Sequence, residues 1–230
     1  MKTCVLALRL LLLKAALVLV IFFAVIQVQA APLQNLDALK QEIIQYHESG
    51  EYEYDVRHII DQAKYYLTKC IAANKASRHQ KKLAIVLDID ETSLSNYSDL
   101  KKLGFGGTNL QQEQAEGRAD DVAIASTLDL YQFAQAHHVA VFFITGRTEM
   151  YRSATMKNLK AAGYTVWQQL DLKPNDYNKP SVIDYKQSRR QAIAAQGYDI
   201  VLNIGDQYSD LAGGYADRTY KLPDYMYYIN

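Results

Sequence analysis

Residues 83–92, LAIVLDIDET, decide the fold, because a short apolar run passes directly into a cluster of acidic residues. An uninterrupted apolar run of this length is typical of a parallel strand that is buried on both faces. Two further runs share the pattern. Residues 139–144 lead into Thr145-Gly146-Arg147, and residues 200–204 lead into Gly205-Asp206. The sequence therefore predicts at least three buried strands, each with polar residues at its carboxyl end.

Helical stretches separate these strands along the chain. We predict helices at about residues 121–136, 149–161 and 185–196, and a weaker fourth strand at residues 164–167. Strands that alternate with helices indicate an α/β fold with an open parallel sheet and right-handed crossovers. The predicted fold class is thus a Rossmann-like parallel sheet.

Two regions lie outside this alternation and are predicted to form a small helical or loop cap. Residues 36–81 read as two helices that break at Ser49-Gly50, and they supply either a packing layer or part of the cap. Residues 93–120 are a polar, glycine-rich insertion after the first strand. Long loops in compact domains are often functional, so we expect a lid over the sheet edge, with an ordinary surface loop as the alternative.

The first thirty residues differ in composition from the rest of the chain. Basic residues and an apolar run at 15–26 are followed by Val28-Gln29-Ala30, which has small or aliphatic residues at the usual cleavage spacing. This layout predicts a signal peptide at residues 1–30 and a mature domain at residues 31–230. An uncleaved anchor is the alternative, but the run is shorter than the roughly 20 residues that span a bilayer. We therefore expect an exported protein, periplasmic or secreted, without a stable membrane span.

Charge and cysteine content narrow the classes of partner. Cleavage removes three of the 25 basic residues and none of the 25 acidic ones, so the mature chain has a formal net charge of −3. Nucleic acid is a poor partner for such a surface, because binding to a phosphate backbone requires concentrated positive charge. Cys70 is the single cysteine after residue 30, which excludes an intramolecular disulfide in the mature chain. A small-molecule substrate is the expected partner, and homo-oligomerisation stays open.

The polar clusters after the strands should meet, because ligands of an open parallel sheet bind beyond the carboxyl ends of its strands. Asp88 and Asp90 would then lie near Asp206 and Asp210, which places four carboxylates in a small volume. Like charges at short range repel unless a cation neutralises them. Carboxylates without a Cys or His cluster favour a hard divalent cation, so we predict a Mg²⁺ site.

With a cation bound, one carboxylate is free to attack phosphorus. Asp88, at the strand tip, is the predicted nucleophile of an aspartyl-phosphate intermediate. Asp90 would protonate the leaving alcohol and then activate water. Thr145, the backbone N–H of Gly146 and one lysine are the expected donors to the phosphoryl oxygens, and Arg147 is interpreted as structural. Spacing alone leaves the choice of lysine open among Lys173, Lys179 and Lys186.

Taken together, these clusters resemble the signature motifs of the haloacid dehalogenase superfamily. Residues 88–96, DIDETSLSN, are similar to the first motif of the secreted acid phosphatases of the class B and class C group, which includes plant vegetative storage proteins. Residues 220–228, YKLPDYMYY, resemble the C-terminal ending of the plant members. The resemblance extends from about residue 36 to the end of the chain and implies a haloacid dehalogenase-like acid phosphatase domain.

The resemblance also implies a role for each matching residue. Asp88 would be the nucleophile, Asp90 the acid/base, Thr145 the phosphate clamp and Lys186 the lysine of the third motif. The implied Mg²⁺ ligands are Asp88, the backbone carbonyl of Asp90, Asp206 and, directly or through water, Asp210. The chain lacks the lipid-attachment cysteine of many bacterial class C members, which argues against anchoring in an outer membrane.

We therefore predict an exported, Mg²⁺-dependent acid phosphatase that hydrolyses small phosphomonoesters through an aspartyl-phosphate. One alternative is a phosphotransferase that passes the phosphoryl group to an alcohol. Another is a non-catalytic storage or binding protein with the same fold. The complete acidic set disfavours that second alternative, because burying four carboxylates without a cation is costly.

Overall fold

A parallel sheet of five strands forms the centre of the computed structural model, which describes residues 33–229. The strands of the described residues are β1 Lys82–Leu87, β2 Leu94–Ser95, β3 Val122–Ala123, β4 Ala140–Thr148, β5 Gln169–Lys173, β6 Tyr198–Gly205 and β7 Arg218–Lys221. The order across the sheet is β5-β4-β1-β6-β7, and every neighbouring pair is parallel. β1 is therefore the central strand, and its carboxyl end lies between those of β4 and β6.

Helices connect the strands and cover both faces of the sheet. They are α1 Leu36–Glu48, α2 Glu51–Ala76, α3 Tyr97–Lys102, α4 Asn109–Arg118, α5 Ala125–Ala136, α6 Arg152–Ala161, α7 Ile183–Ala195 and α8 Tyr208–Leu211. A short 3₁₀ turn, Glu149–Tyr151, precedes α6. Strands that alternate with covering helices confirm the predicted Rossmann-like α/β class.

Alternation along β1 divides the core into two layers. Ile85 and Leu87 point to a cluster that includes Ile60 and Leu67 of α2, whereas Val86 points to the opposite face and packs with Ile193 of α7. Successive side chains of a strand point to opposite faces, so a strand buried on both faces must be apolar throughout. This requirement explains the unbroken apolar run from which the strand was predicted.

The two N-terminal helices break where the sequence predicts, since α1 ends at Glu48 and α2 starts at Glu51. α2 belongs to the packing layer of the core. α1 reaches the insertion instead: the hydroxyl of Tyr97 donates to Glu48, and the ring of His47 stacks on that of Tyr97 with centroids 4.2 Å apart. α2 thus acts as a packing layer and α1 contacts the insertion, whereas the cap role stays a prediction.

The prediction of a strand at residues 164–167 is wrong, because the fourth strand is β5 at Gln169–Lys173. The backbone N–H groups of Thr165 and Val166 donate to the hydroxyl of Tyr131, at 3.0 and 2.8 Å, and not to a neighbouring strand. β5 lies at the edge of the sheet and alternates polar and apolar residues, so it has no apolar run. The edge strand β7 was not predicted at all.

The insertion after β1 folds as two helices on a two-stranded stem. β2 and β3 pair antiparallel and close the stem, while α3 and α4 lie between them. The helix predicted to start near residue 121 therefore starts at Ala125, because Val122 and Ala123 are used by the stem. A capping box between Thr108 and Gln111 begins α4.

The predicted signal peptide at residues 1–30 lies outside the described residues. Within residues 33–229, no helix has the length and apolar character that crossing a bilayer requires.

Candidate active site

The carboxyl ends of β1, β4 and β6 meet at one edge of the sheet and border a cavity of about 470 Å³. The strand register places these three ends at the same height in the sheet, since Leu87 of β1 pairs with Phe143 of β4 and with Ile204 of β6. The backbone N–H of Asp88 extends the ladder to the carbonyl of Ile204 at 3.0 Å. The predicted site residues that line the cavity are Asp88, Asp90, Gly146, Lys186, Asp206 and Asp210.

Asp88 is buried at the tip of β1 and faces Lys186. The ammonium Nζ of Lys186 donates to its Oδ1 at 2.6 Å. Burial raises the pKa of Asp88 to about 7, and repulsion from Asp210 adds to this, whereas Lys186 acts in the opposite direction. The ionised form of Asp88 is therefore destabilised, and an additional cation would stabilise it.

Three carboxylates converge at this point, since oxygens of Asp88, Asp206 and Asp210 lie within 4.8 Å of one another. Lys186 pairs with Asp88 and Asp210 but not with Asp206. Burial raises the pKa of Asp206 well above its usual value, and the charges of Asp210 and Asp88 raise it further. An all-oxygen set with one positive partner for three acids is the environment that a hard divalent cation requires.

Lys186 lies in the first turn of α7, where the helix holds it at the sheet edge, and its side chain is buried. Burial alone lowers the pKa of this lysine, but the adjacent Asp210 and Asp88 outweigh that effect and raise it. The ammonium is therefore permanently charged. Of the three lysines that spacing left open, Lys186 is the one that contacts the nucleophile candidate.

Asp90 is engaged by an arginine and is not part of the three-carboxylate cluster. Nε and Nη2 of Arg147 donate to its Oδ1 at 3.0 and 2.7 Å, and Nδ2 of Asn96 donates at 2.7 Å. Burial by itself raises the pKa of Asp90, but the pairing with Arg147 and the bond from Asn96 outweigh it and lower the pKa. Arg147 also donates to Asp121 at 3.0 Å, so it connects Asp90 to the base of the insertion.

Thr145 and Gly146 belong to the irregular end of β4, whereas the sequence placed them after the strand. Gly146 borders the cavity, and Thr145 is not among the described residues that line it. The buried hydroxyl of Thr145 accepts a bond from the backbone N–H of Arg147 at 3.1 Å. A hydroxyl that accepts this bond keeps its own O–H as a donor.

The insertion and the C-terminus complete the cavity walls. Leu100, Leu103 and Glu116 contribute from α3, the loop that follows it and α4. Tyr227 and Tyr228 contribute from the end of the chain. The insertion thus borders the site, and its action as a lid stays a prediction.

Sequence reasoning missed two residues that orient the acidic cluster. The hydroxyl of Thr92 donates to Oδ1 of Asp206 at 3.1 Å, and Nε2 of Gln207 donates to Oδ2 at 2.7 Å. Both lie inside motifs that were singled out, next to a carboxylate. Their position inside a motif was the one signal in the sequence that could have identified them. The partner of Thr92 is distant in sequence, and the bond from Gln207 to its neighbour Asp206 depends on the direction of the side chain, which the sequence does not give.

Acidic residues that meet beyond two neighbouring parallel strands, β1 and β6, with a lysine from the helix before the last motif, define a haloacid dehalogenase-type phosphatase. Comparison with protein families agrees: residues 14–230 match the family described as HAD superfamily, subfamily IIIB (Acid phosphatase), and the chain belongs to it. The predicted class of enzyme, a phosphoric monoester hydrolase, is confirmed at this level.

Three plant proteins are similar in sequence. Stem 28 kDa glycoprotein of Glycine max is 34% identical over 207 residues, which cover 87% of this chain and 77% of that protein. Acid phosphatase 1 of Solanum lycopersicum is 40% identical over 151 residues, covering 63% and 58%. Vegetative storage protein 2 of Arabidopsis thaliana is 31% identical over 185 residues, covering 79% and 68%. These relatives confirm the predicted resemblance to the plant members of the group.

A solved structure shares the fold. The class C acid phosphatase from Bacillus anthracis superposes with a TM-score of 0.67 at 23% identity, covering 84% of this chain and 86% of that one.

Proposed function

We propose that this chain is an exported, Mg²⁺-dependent acid phosphatase that hydrolyses small phosphomonoesters through an aspartyl-phosphate on Asp88. The observation that carries the proposal is the cluster of Asp88, Asp206 and Asp210 within 4.8 Å, with Lys186 as its single lysine partner in the described chain. A carboxylate at a strand tip beside a fixed ammonium is suited to attack an electrophilic phosphorus. The cavity of about 470 Å³ has room for a small ester.

Asp88 and Asp206 would hold the cation, with Asp210 direct or through water and the backbone carbonyl of Asp90 as a further ligand. The fit rests on the donors, which are hard oxygens, and on the raised pKa values of Asp88 and Asp206, both caused first by burial. When bound, the ion neutralises charge on the phosphoryl oxygens. Both carboxylate oxygens of Asp210 already accept bonds, from Lys186 and from the N–H of Gln207.

Attack by Oδ of Asp88 forms the O–P bond while the ester O–P bond breaks, and the leaving alkoxide takes a proton from Asp90. Water then attacks the phosphorus, Asp90 accepts its proton, and Asp88 leaves with the electron pair. Lys186, the N–H of Gly146 and the hydroxyl of Thr145 would donate to the phosphoryl oxygens. Because Arg147 lowers the pKa of Asp90 against the effect of burial, the protonated form needed first is most abundant in acidic solution.

Phosphate release from a panel of small phosphomonoesters tests the proposal. We expect Asp88→Asn to lower the rate on the order of 10³-fold or more, because an amide is not a nucleophile, and a chelator to abolish wild-type activity. Asp176→Asn, at an exposed aspartate, serves as the matched control and should retain wild-type activity. Equal activity in Asp88→Asn would exclude the covalent step, and chelator-resistant activity would exclude the metal.

The same assay separates the two alternatives. Added alcohol that increases product without increasing free phosphate would indicate a phosphotransferase. The similarity to a vegetative storage protein is the observation that keeps a storage role as a candidate. A wild-type chain that binds Mg²⁺ but releases no phosphate from any ester would support that role.

Export rests on the composition of residues 1–30. N-terminal sequencing of the protein recovered from the medium or periplasm should start at Ala31. Recovery with the first residues intact in a membrane fraction would contradict it.

A further inference from the structure

The C-terminal segment, defined as residues 224–229, lies against the acidic cluster, and the side chain of Gln207 hydrogen-bonds to both. This side chain is 5% exposed and extends between the end of β6 and the segment. Its Nε2 donates to Oδ2 of Asp206 and to Oδ2 of Asp224, both at 2.7 Å. Its Oε1 accepts from the backbone N–H of Ile229 at 3.1 Å. The nitrogen and the oxygen of the amide are thereby both hydrogen-bonded.

Gln207 also contacts the other acid of its motif. Its backbone N–H donates to Oδ2 of Asp210 at 2.8 Å, and the neighbouring Ser209 hydroxyl donates to the carbonyl of Ile229 at 3.2 Å. One residue thus touches two carboxylates of the cluster and the end of the chain. Gln207 is the N-cap residue of α8, and its N–H bond to Asp210 is one half of a capping box. That bond comes from the backbone, so the bonds of the amide to Asp206, Asp224 and Ile229 are what depend on the glutamine side chain.

We propose that Gln207 is a positioning residue that couples docking of the C-terminal segment to cation binding by Asp206. The inference rests on the proposed function, in which Asp206 is a metal ligand. The hydroxyl of Thr92 fixes one oxygen of Asp206, and the amide of Gln207 fixes the other. Partners of this kind orient a ligand carboxylate before the ion arrives. Asp224 and Ile229 in turn fix the amide.

Coupling of this kind is reciprocal. If the docked segment strengthens cation binding, then the bound cation must hold the segment more firmly. The same segment contributes Tyr227 and Tyr228 to the cavity wall, so loss of docking would also open the substrate site. The C-terminal segment is therefore expected to contribute both to cation binding and to the wall of the substrate cavity.

Calorimetric titration of Mg²⁺ into the purified full chain tests the proposal. The variants are Gln207→Met, which keeps the volume but not the hydrogen bonds, and a chain that ends at Met226. We expect Gln207→Met to weaken Mg²⁺ binding about 10- to 100-fold, and the shortened chain to weaken it in the same direction. The double variant should be no weaker than Gln207→Met alone, because both changes break one network. Tyr225→Ala, at an exposed residue of the same segment whose ring packs against Tyr46, should bind like wild type.

A second readout is digestion of the chain end by carboxypeptidase. Mg²⁺ should slow the loss of terminal residues from the wild-type chain and have no effect on Gln207→Met. Unchanged Mg²⁺ affinity in Gln207→Met and in the shortened chain would overturn the inference. A wild-type chain that does not bind Mg²⁺ would instead overturn the proposed metal site. If Gln207→Met does not give a wild-type circular dichroism spectrum, the shortened chain, which keeps Gln207, decides the question.

Discussion

At Gly205, the last residue of β6, the chain has no space for a side chain. A Cβ added there would lie 2.3 Å from Cβ and Oδ2 of Asp210, far inside van der Waals contact. Asp210 cannot retreat easily, because the amide of Asn203 and the guanidinium of Arg190 both donate to its carbonyl oxygen. The glycine in the Gly205-Asp206 motif is therefore explained by packing against the acidic cluster.

Gly205→Ala should displace Asp210 and, through it, Lys186. We expect a loss of about 1–3 kcal/mol in the free energy of unfolding, the usual cost of overpacking, together with weaker Mg²⁺ binding. Chemical denaturation and titration calorimetry measure the two effects. Gly106→Ala is the matched control, since the nearest atom to its added Cβ is 3.7 Å away. A Gly205→Ala protein with wild-type stability would show that Asp210 can move without cost.

At the scale of elements, an aromatic stack joins α1, α2 and the insertion. The ring of His47 lies between those of Tyr52 and Tyr97, with centroid distances of 4.2 Å on both sides. Burial lowers the pKa of His47 to about 4, although Glu48 acts in the opposite direction. The folded state therefore favours the neutral imidazole, whereas the unfolded chain takes up a proton near the ordinary pKa of about 6.5.

The stack should thus weaken in acid. Stability from His47 is complete above about pH 6.5 and is lost as the pH falls towards about 4, at most on the order of 1–3 kcal/mol. The free energy of unfolding, measured by denaturant titration between pH 4 and 7, should fall less steeply for His47→Phe. Tyr97→Phe keeps the stack and the imidazole, so it should retain the wild-type slope. Equal slopes for wild type and His47→Phe would contradict the assignment.

The elements also show why some parts of the fold follow from the sequence and others do not. β1, β4 and β6 are buried on both faces, so their apolar runs predicted the sheet, and the acids after β1 and β6 predicted the cluster. β5 and β7 are edge strands in which most positions are half-buried or exposed, and no apolar run distinguishes them from loops. Tyr131 and Gln207 act through hydrogen bonds to residues distant in sequence, which composition and spacing do not encode.

At the scale of the whole molecule, the acidic cluster makes stability depend on the cation. Folding brings Asp88, Asp206 and Asp210 within 4.8 Å, and Lys186 pairs with only two of them. These charges are far apart in the unfolded chain, so their repulsion destabilises the folded state and lowers the free energy of unfolding. A cation that binds the folded state stabilises it by about 2.7 kcal/mol at about 100 times its Kd.

Mg²⁺ should therefore raise the thermal midpoint of the wild-type chain by roughly 5–10 °C relative to chelator. Asp206→Asn should lose most of this shift and melt in chelator at or above the wild-type temperature, because one repulsive charge is gone. Asp61→Asn removes an exposed charge of α2 and should keep the full shift. Differential scanning calorimetry gives all three midpoints. A full Mg²⁺ shift in Asp206→Asn would place the stabilising ion elsewhere, for example at the second acidic group, formed by Asp99, Asp120 and Asp121.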